Sequence, residues 1–271
     1  MKKTHFWLRQ QPPRQYDIVH LRPNQLPPGR RFETKSDALR LSLRSEEILQ
    51  PGVIAKRMAE CSCGSQRCHK PSCPLCARHF RRWFIGQLLR LADHRPVETR
   101  ILTVLLAVAP HDQICLLDAN RHHHSLRKQI KRAGLNGVPT IGGFEIAYHA
   151  RHKHWVLHVN LVIFGAPTVA LERFKKMCRS SDIWRPVVDV VMNDAATQLS
   201  YVLKFSTYHR PLSRTGAVKG PAKPLNRREH VALVQWMHQR NFTEFLFLFN
   251  TRRRGADIVI KEQSGHDTER R

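Results

Sequence analysis

The sequence predicts an α+β protein: an antiparallel sheet with helices packed on one face, joined to a small cysteine-rich module. Three observations point there. Residues 140–149 and 155–165 alternate apolar and polar side chains with a period of two, and the polar turn Ala150 to Lys153 separates them as in a hairpin. Segments with helical spacing fall between the strand-like runs. Five of the seven cysteines crowd between Cys61 and Cys76.

Taken in order, residues 1–35 carry Pro12, Pro13, Pro23, Pro27 and Pro28 among Arg and Gln without sustained periodicity, which predicts an extended or disordered arm. Residues 36–95 form a helical region with the cysteine cluster inside it. Leu39, Leu41, Leu43 and Ile48 space a helix over Ser36–Leu49, and Phe80, Phe84, Leu88 and Leu91 mark one side of a basic helix from Cys76 to Asp93. Residues 96–206 form the core. Ile101–Val108 is an apolar strand, and Asp118 to Ala133 is a basic helix with Asp118 as N-cap and Gly134 just past its end. The two alternating strands follow, then a helix over Val169–Cys178 and a short β-branched strand over Pro186–Met192. Asp194 caps a last helix, whose apolar stripe is Ala195, Leu199, Val202 and Leu203. Residues 207–271 comprise a basic Gly/Pro-rich loop to Leu225, a helix over Arg227–Arg240, and an apolar run, Phe242–Phe249, ending in Arg252, Arg253 and Arg254. The core succession βαββαβα fits a ferredoxin-like sheet with one face covered and the other free.

The charge narrows the partner. Lys and Arg number 46 against 21 Asp and Glu, a net of +25 over 271 residues, and such an excess calls for a polyanion, most simply nucleic acid. The basic residues are spread along the chain rather than gathered in one juxtamembrane cluster, which disfavours an anionic membrane surface. The longest apolar run, Ile101 to Pro110, is well short of the ~20 residues of a spanning helix. The basic N-terminus lacks the apolar stretch of a signal peptide, so a cytosolic protein is expected. Arg81, Arg82, Arg127, Lys128, Arg252, Arg253 and Arg254 are the candidate DNA contacts. His122, His123 and His124 lie among Arg121, Arg127 and Lys128 and suggest a solvated, DNA-facing surface rather than a metal tract.

In a reducing compartment, clustered cysteines suggest metal rather than disulfides. Cys63, Cys68, Cys73 and Cys76 can supply four thiolates to a tetrahedral, structural Zn²⁺, with Cys61 as the alternative to Cys63 and His69 and His79 in reserve. Cys115 and Cys178 read as small buried hydrophobes.

The chemistry-bearing set lies in the core. Alternation along the second hairpin strand puts His158 and Asn160 on one face, and Glu145 can meet them from the paired strand. His154, four residues away, is about 13 Å from His158 along a strand and too far to share an ion with it. On the predicted last helix Tyr201 and Lys204 are neighbours at i and i+3. A phenol with a reference pKa of about 10 needs a nearby cation or metal to act as a nucleophile, and Lys204 supplies a cation. Tyr208 is a weaker second candidate.

This ordered set, a glutamate strand, a His-x-polar strand and a Tyr-x-x-Lys segment behind a cysteine cluster, resembles the HUH endonucleases, and among them the rolling-circle replication initiators of plasmids and phages. The likeness runs from Cys61 to about Phe205. It implies that Glu145, His158 and Asn160 hold Mg²⁺ or Mn²⁺, and that Tyr201, assisted by Lys204, attacks a phosphodiester of single-stranded DNA. A 5′-phosphotyrosine and a free 3′-OH would result, and rejoining would need no ATP. The implied partners are single-stranded DNA, the origin duplex and a host helicase, in a nucleoid- or plasmid-associated cytoplasmic setting. The family has a second histidine where this chain has Asn160, whose neutral amide oxygen suits a hard cation but should bind it more weakly than imidazole. A binding protein whose cleavage chemistry has decayed, and a tyrosine transposase or mobilisation nickase, are the other readings of the same residues.

Overall fold

The computed structural model describes residues 35–95, 97–178, 187–205, 207–209 and 223–261. The expected N-terminal arm and most of the basic loop after Ser206 lie outside these residues.

The helical region opens with α1 (Lys35–Leu49) and α2 (Val53–Ser62), followed by α3 (Pro74–Asp93). Pro74 starts α3 at a position where its missing N–H costs nothing. Helix α2 goes beyond the sequence expectation; its buried side is Ala55, Met58 and Cys61, a stripe at spacing three.

The core then runs β1 (Thr99–Pro110), α4 (Ala119–Arg132), β2 (Thr140–His149), β3 (His154–Phe164), α5 (Thr168–Met177), β4 (Val187–Val191) and α6 (Ala195–Leu199). Asp118 caps α4 by accepting from the Asn120 amide at 2.9 Å, and Asp194 caps α6 by accepting from Thr197 at 3.0 Å. A two-residue ladder of β5 (Tyr208–His209) with β6 (Lys223–Pro224) precedes α7 (Arg227–His238). The apolar run beyond it divides into a 3-10 turn, Phe242–Phe245, and β7 (Leu246–Phe249); β8 (Thr251–Arg254) and β9 (Asp257–Ile260) close the chain as a hairpin.

The fold is α+β, with one five-stranded sheet in the order β4-β1-β3-β2-β7 and every pairing antiparallel. Strand β3 is the central one. Its odd-numbered residues from Trp155 to Ile163 are fully buried, on the face that carries Phe144 of β2. Phe144 of β2 shows which face α4 covers: its ring centroid lies 4.5 Å from that of His123 and 6.5 Å from that of Phe247.

The opposite face departs from expectation, because it is not left free. Leu203 lies directly on Gly143 of β2, and behind that turn stands α3, whose Phe80 ring is 6.5 Å from Phe205 and 4.4 Å from Phe242. Helix α3 also reaches the β8–β9 hairpin through Trp83, which donates to the Ala256 carbonyl at 2.7 Å, and Gln87, which accepts from the Ile258 amide at 3.0 Å. The physical reason is apolar: the helical region and the sheet share one buried cluster, and α3 is buried along nearly its whole length. The β4 side of that face stays exposed at Val188 and Val190.

Candidate functional site

Three strands bring four polar side chains to this second face. The register sets Glu145 opposite His158 across the β2–β3 pair, Gly143 opposite Asn160, and Thr103 of β1 opposite Asn160 on its other side. Asn160 Nδ2 donates to Glu145 Oε1 at 2.7 Å, and Thr103 Oγ1 donates to Asn160 Oδ1 at 2.5 Å. His158 Nε2 lies 3.2 Å from Glu145 Oε2. An ionised carboxylate only accepts, so the ring carries its proton on Nε2 in this arrangement.

Glu145 is buried, and burial alone would raise its pKa. The hydrogen bond from His158, the Lys204 ammonium, the His158 charge and the Lys204 backbone N–H outweigh that cost and hold the carboxyl below its usual range. The group is therefore anionic at neutral pH, and it sits behind the more exposed His158.

Tyr201 and Lys204 reach the site differently from the sequence expectation. Helix α6 ends at Leu199, with Ser200 as its C-cap, so the two residues are not one helical turn apart. The chain instead turns through Leu203 at φ +64°, a left-handed conformation uncommon outside glycine. The turn presses Leu203 onto the sheet at a strand position that only glycine can occupy: a Cβ on Gly143 would lie 2.7 Å from Leu203 Cβ. Lys204 still meets Tyr201, with Nζ 4.4 Å from the ring centroid. Both line a cleft of about 300 Å³ whose other walls are Thr103, His158, Asn160, Gln198 and the apolar Ile101, Val188, Val190 and Val202.

Sequence reasoning missed four contributors. Thr103 fixes the Asn160 amide. Gly143 admits the turn, and a Gly-Gly pair inside a strand was its signal. Gln198 ties α6 to the sheet edge by donating to the Val191 carbonyl at 3.0 Å. Arg81 is the fourth, and it corrects an expected DNA contact: it is fully buried and donates to the Ser200 carbonyl at the end of α6.

Of the other expected DNA contacts, Arg82 is half-buried, while Arg252, Arg253 and Arg254 are exposed on β8. Arg127 and Lys128 are exposed on α4, across the sheet from the Tyr201 cleft. Arg127 lies over Phe247 at 5.5 Å and donates to the Leu248 carbonyl at 2.6 Å. His123 is likewise a packing residue, tilted against Phe144, stacked on Phe247 and held below the usual imidazole pKa by burial. Tyr208 lies in β5 and does not line the cleft.

The cysteine cluster is the second site. Cys61, Cys68, Cys73 and Cys76 bring their sulfurs within 4.8 Å of one another, a set that can hold a metal such as zinc. The Cys61–Cys76, Cys61–Cys73 and Cys68–Cys76 separations are 3.5, 3.6 and 3.7 Å. Four sulfurs at the ~2.3 Å zinc–sulfur distance stand about 3.8 Å apart at the corners of a tetrahedron.

The expected ligand Cys63 is replaced by its alternative. Two residues apart on a helix, Cys61 and Cys63 cannot face the same way; Cys61 continues the buried stripe of α2, whereas Cys63 is exposed and bonds Ser65 and the Glu60 carbonyl. His69 and His79 are not among the four. Hydrogen bonds from Cys68, Cys73 and Cys76 drive the Cys61 thiol toward ionisation, while those with Cys61 push Cys73 and Cys76 upward. Cys178 is buried as expected, and Cys115 is exposed.

Comparison of the chain with protein families, with curated proteins and with solved structures found no match. Among the described residues no helix is long and apolar enough to cross a membrane.

Proposed function

We propose that this protein nicks and rejoins single-stranded DNA through a tyrosine nucleophile, as an HUH-type initiator of rolling-circle replication. One observation carries the reading: Tyr201 and Lys204 line the same cleft as His158 and Asn160, with the Glu145 carboxylate behind them. The chain order βαββαβα and the strand order β4-β1-β3-β2 support a ferredoxin-like core for it.

In this reading the Tyr201 hydroxyl attacks phosphorus, the new Tyr–O–P bond forms, and the bond from phosphorus to the 3′ oxygen breaks. The phenol gives up its proton as it attacks, and the 3′ oxygen takes up a proton and leaves as a free hydroxyl, so no proton is gained or lost overall. One phosphodiester is exchanged for another, so the reverse attack rejoins the strand. Lys204 stabilises the phenolate and the charge gathering on the phosphoryl oxygens. The apolar walls at Ile101, Val188 and Val190 would pack against the flanking nucleotide.

A divalent ion fits this donor set in part. Glu145 Oε2 and His158 Nε2 stand 3.2 Å apart, close to the roughly 3.0 Å expected between neighbouring ligands of an ion bound at about 2.1 Å. His158 must carry its proton on Nδ1 so that Nε2 is free to ligate, and Asn160 must turn its amide so that Oδ1 replaces Nδ2 beside Glu145. Glu145, His158 and Asn160 would then hold Mg²⁺ or Mn²⁺, which would supply a Lewis acid for the phosphoryl oxygens. The cysteine cluster would hold a structural Zn²⁺.

A second reading has its own observation. The Asn160 amide is hydrogen-bonded at both ends, to Glu145 and to Thr103, as in a polar network closed on itself. That suits a DNA-binding protein of the same fold without cleavage. The discriminating experiment incubates the protein with single-stranded oligonucleotides and Mn²⁺ and looks for a covalent adduct in denaturing gels. Nicking predicts an adduct that Tyr201→Phe loses; retarded DNA in native gels without any adduct favours binding alone.

A further inference from the structure

Helix α4 turns a line of cations to solvent. Arg121, Lys128 and Arg132 recur at helical spacing, so they stack along one side of the helix over about 16 Å, opposite the buried Ala119, Leu126 and Ile130. Lys131 flanks that line, and the helix contains no Asp or Glu. Helix α5 continues the surface with Arg173 and Lys176, both exposed; the Arg173 guanidinium lies beside Gly134, just past the C-terminal end of α4.

These six cations are uncommitted. Among the described residues none of them has a side-chain hydrogen bond or ion pair. Their neighbours differ: Lys175 pairs with Glu172 and Asp189, and Arg127 is engaged by the Leu248 carbonyl and the Phe247 ring. Like charges on one helix face repel one another. The buried side of α4 fixes the row in place, so an external polyanion is its natural complement.

The surroundings select the polyanion. A single-strand site stacks bases on aromatic rings, yet α4 contains no Phe, Tyr or Trp, and Phe174, the one such residue on α5, is fully buried. A helix seated in a membrane surface presents apolar side chains beside its cations, whereas α4 keeps Leu126 and Ile130 on its buried side. A straight, rigid row of cations matches the straight, regularly charged backbone of a duplex. The row also lies across the sheet from the Tyr201 cleft.

We infer that the outer face of α4, continued by Arg173 and Lys176 of α5, seats the phosphate backbone of double-stranded DNA. The duplex then occupies one side of the sheet while the cleft on the other side stays open to a single strand. This inference does not rest on the nicking reaction and holds equally for a protein that only binds.

The test measures anisotropy of a labelled DNA duplex over a salt series, with every protein carrying Tyr201→Phe so that covalent capture plays no part. Lys128→Gln combined with Arg132→Gln is expected to weaken duplex binding at least tenfold at moderate salt. It should also flatten the dependence of log affinity on log salt by about 0.9 for each phosphate that is no longer neutralised. Lys56→Gln with Arg57→Gln, which removes the same charge from exposed positions on α2, should change neither. An excess of a short unlabelled single strand should leave the duplex bound. If the α4 variant melts lower than the parent, Arg173→Gln with Lys176→Gln carries the same expectation without touching that helix.

Unchanged duplex affinity and slope in both pairs would overturn the inference. So would an equal loss in the α2 control, which would reduce the effect to net charge. Displacement of the duplex by the short single strand would place both on one site and overturn it as well. Binding to phosphatidylserine vesicles that the α4 variant loses while its duplex binding stays intact would assign the face to a membrane. Adduct formation is scored separately with the native Tyr201, so a failure of the nicking proposal leaves this result legible.

Discussion

The Lys204 ammonium stands 4.4 Å from the centre of the Tyr201 ring, and the same charge is among the influences that keep Glu145 ionised. One cation thus faces both the proposed nucleophile and the buried carboxylate. Lys204→Met should leave the fold intact and slow adduct formation about 100-fold, the scale seen when one electrostatic stabiliser is removed. Single-turnover gels at fixed Mn²⁺ check it, with circular dichroism as the control for folding.

Gly143 sets how close the tyrosine turn comes to the sheet. Gly143→Ala puts a methyl 2.7 Å from Leu203 Cβ and 3.0 Å from its Cα, so the turn must retreat. A cost of about 1–3 kcal/mol is expected from overpacking. Adduct formation should fall further than that stability loss explains, because Tyr201 moves with the turn; thermal melts and adduct rates on one preparation compare the two.

The Glu145 carboxyl has a folded pKa below its unfolded value, so its ionisation stabilises the fold above the unfolded value of about 4.3. That stability is lost as pH falls through the lower folded pKa. Glu145→Gln should therefore lower stability at pH 7 by about 1–3 kcal/mol, since a neutral amide leaves part of the His158 and Asn160 pairing unmet. The gap between variant and parent should close in acid. Denaturant titrations in the presence of chelator at pH 7 and at about pH 3 test the sign.

Cys61→Ala should abolish metal retention and destabilise the helical region, whereas Cys63→Ala should retain about one ion per chain. Elemental analysis after gel filtration distinguishes them. The reverse pattern would restore Cys63 as the ligand and contradict the burial of Cys61.

The strand residues of the site were legible because a β-strand's period of two is rigid: once β2 and β3 pair, Glu145, His158 and Asn160 must share a face. Capping chemistry was equally readable at Asp118 and Asp194. The end of α6 was not. Leu199, Val202 and Leu203 carry a helical stripe, yet all three are buried in the turn geometry too, so the pattern could not reveal that Leu203 adopts positive φ against a distant glycine.

The choice between Cys61 and Cys63 needed helix α2, whose Ala55–Met58–Cys61 spacing was present in the sequence but weak over ten residues. Arg81 runs against its sequence expectation because charge argues for solvent. Only the tertiary packing of α3 against the end of α6 explains a fully buried guanidinium bonded to a main-chain carbonyl.

The most direct test of the nicking account is peptide mapping of the protein after reaction with single-stranded DNA and Mn²⁺. Nuclease digestion would leave a nucleotide on the attacking side chain, and mass spectrometry would find it. The account predicts the modification on the peptide carrying Tyr201, joined through a 5′ phosphate. A modification on Tyr208 or another residue, or unmodified peptides from protein that has cleaved its DNA, would contradict it.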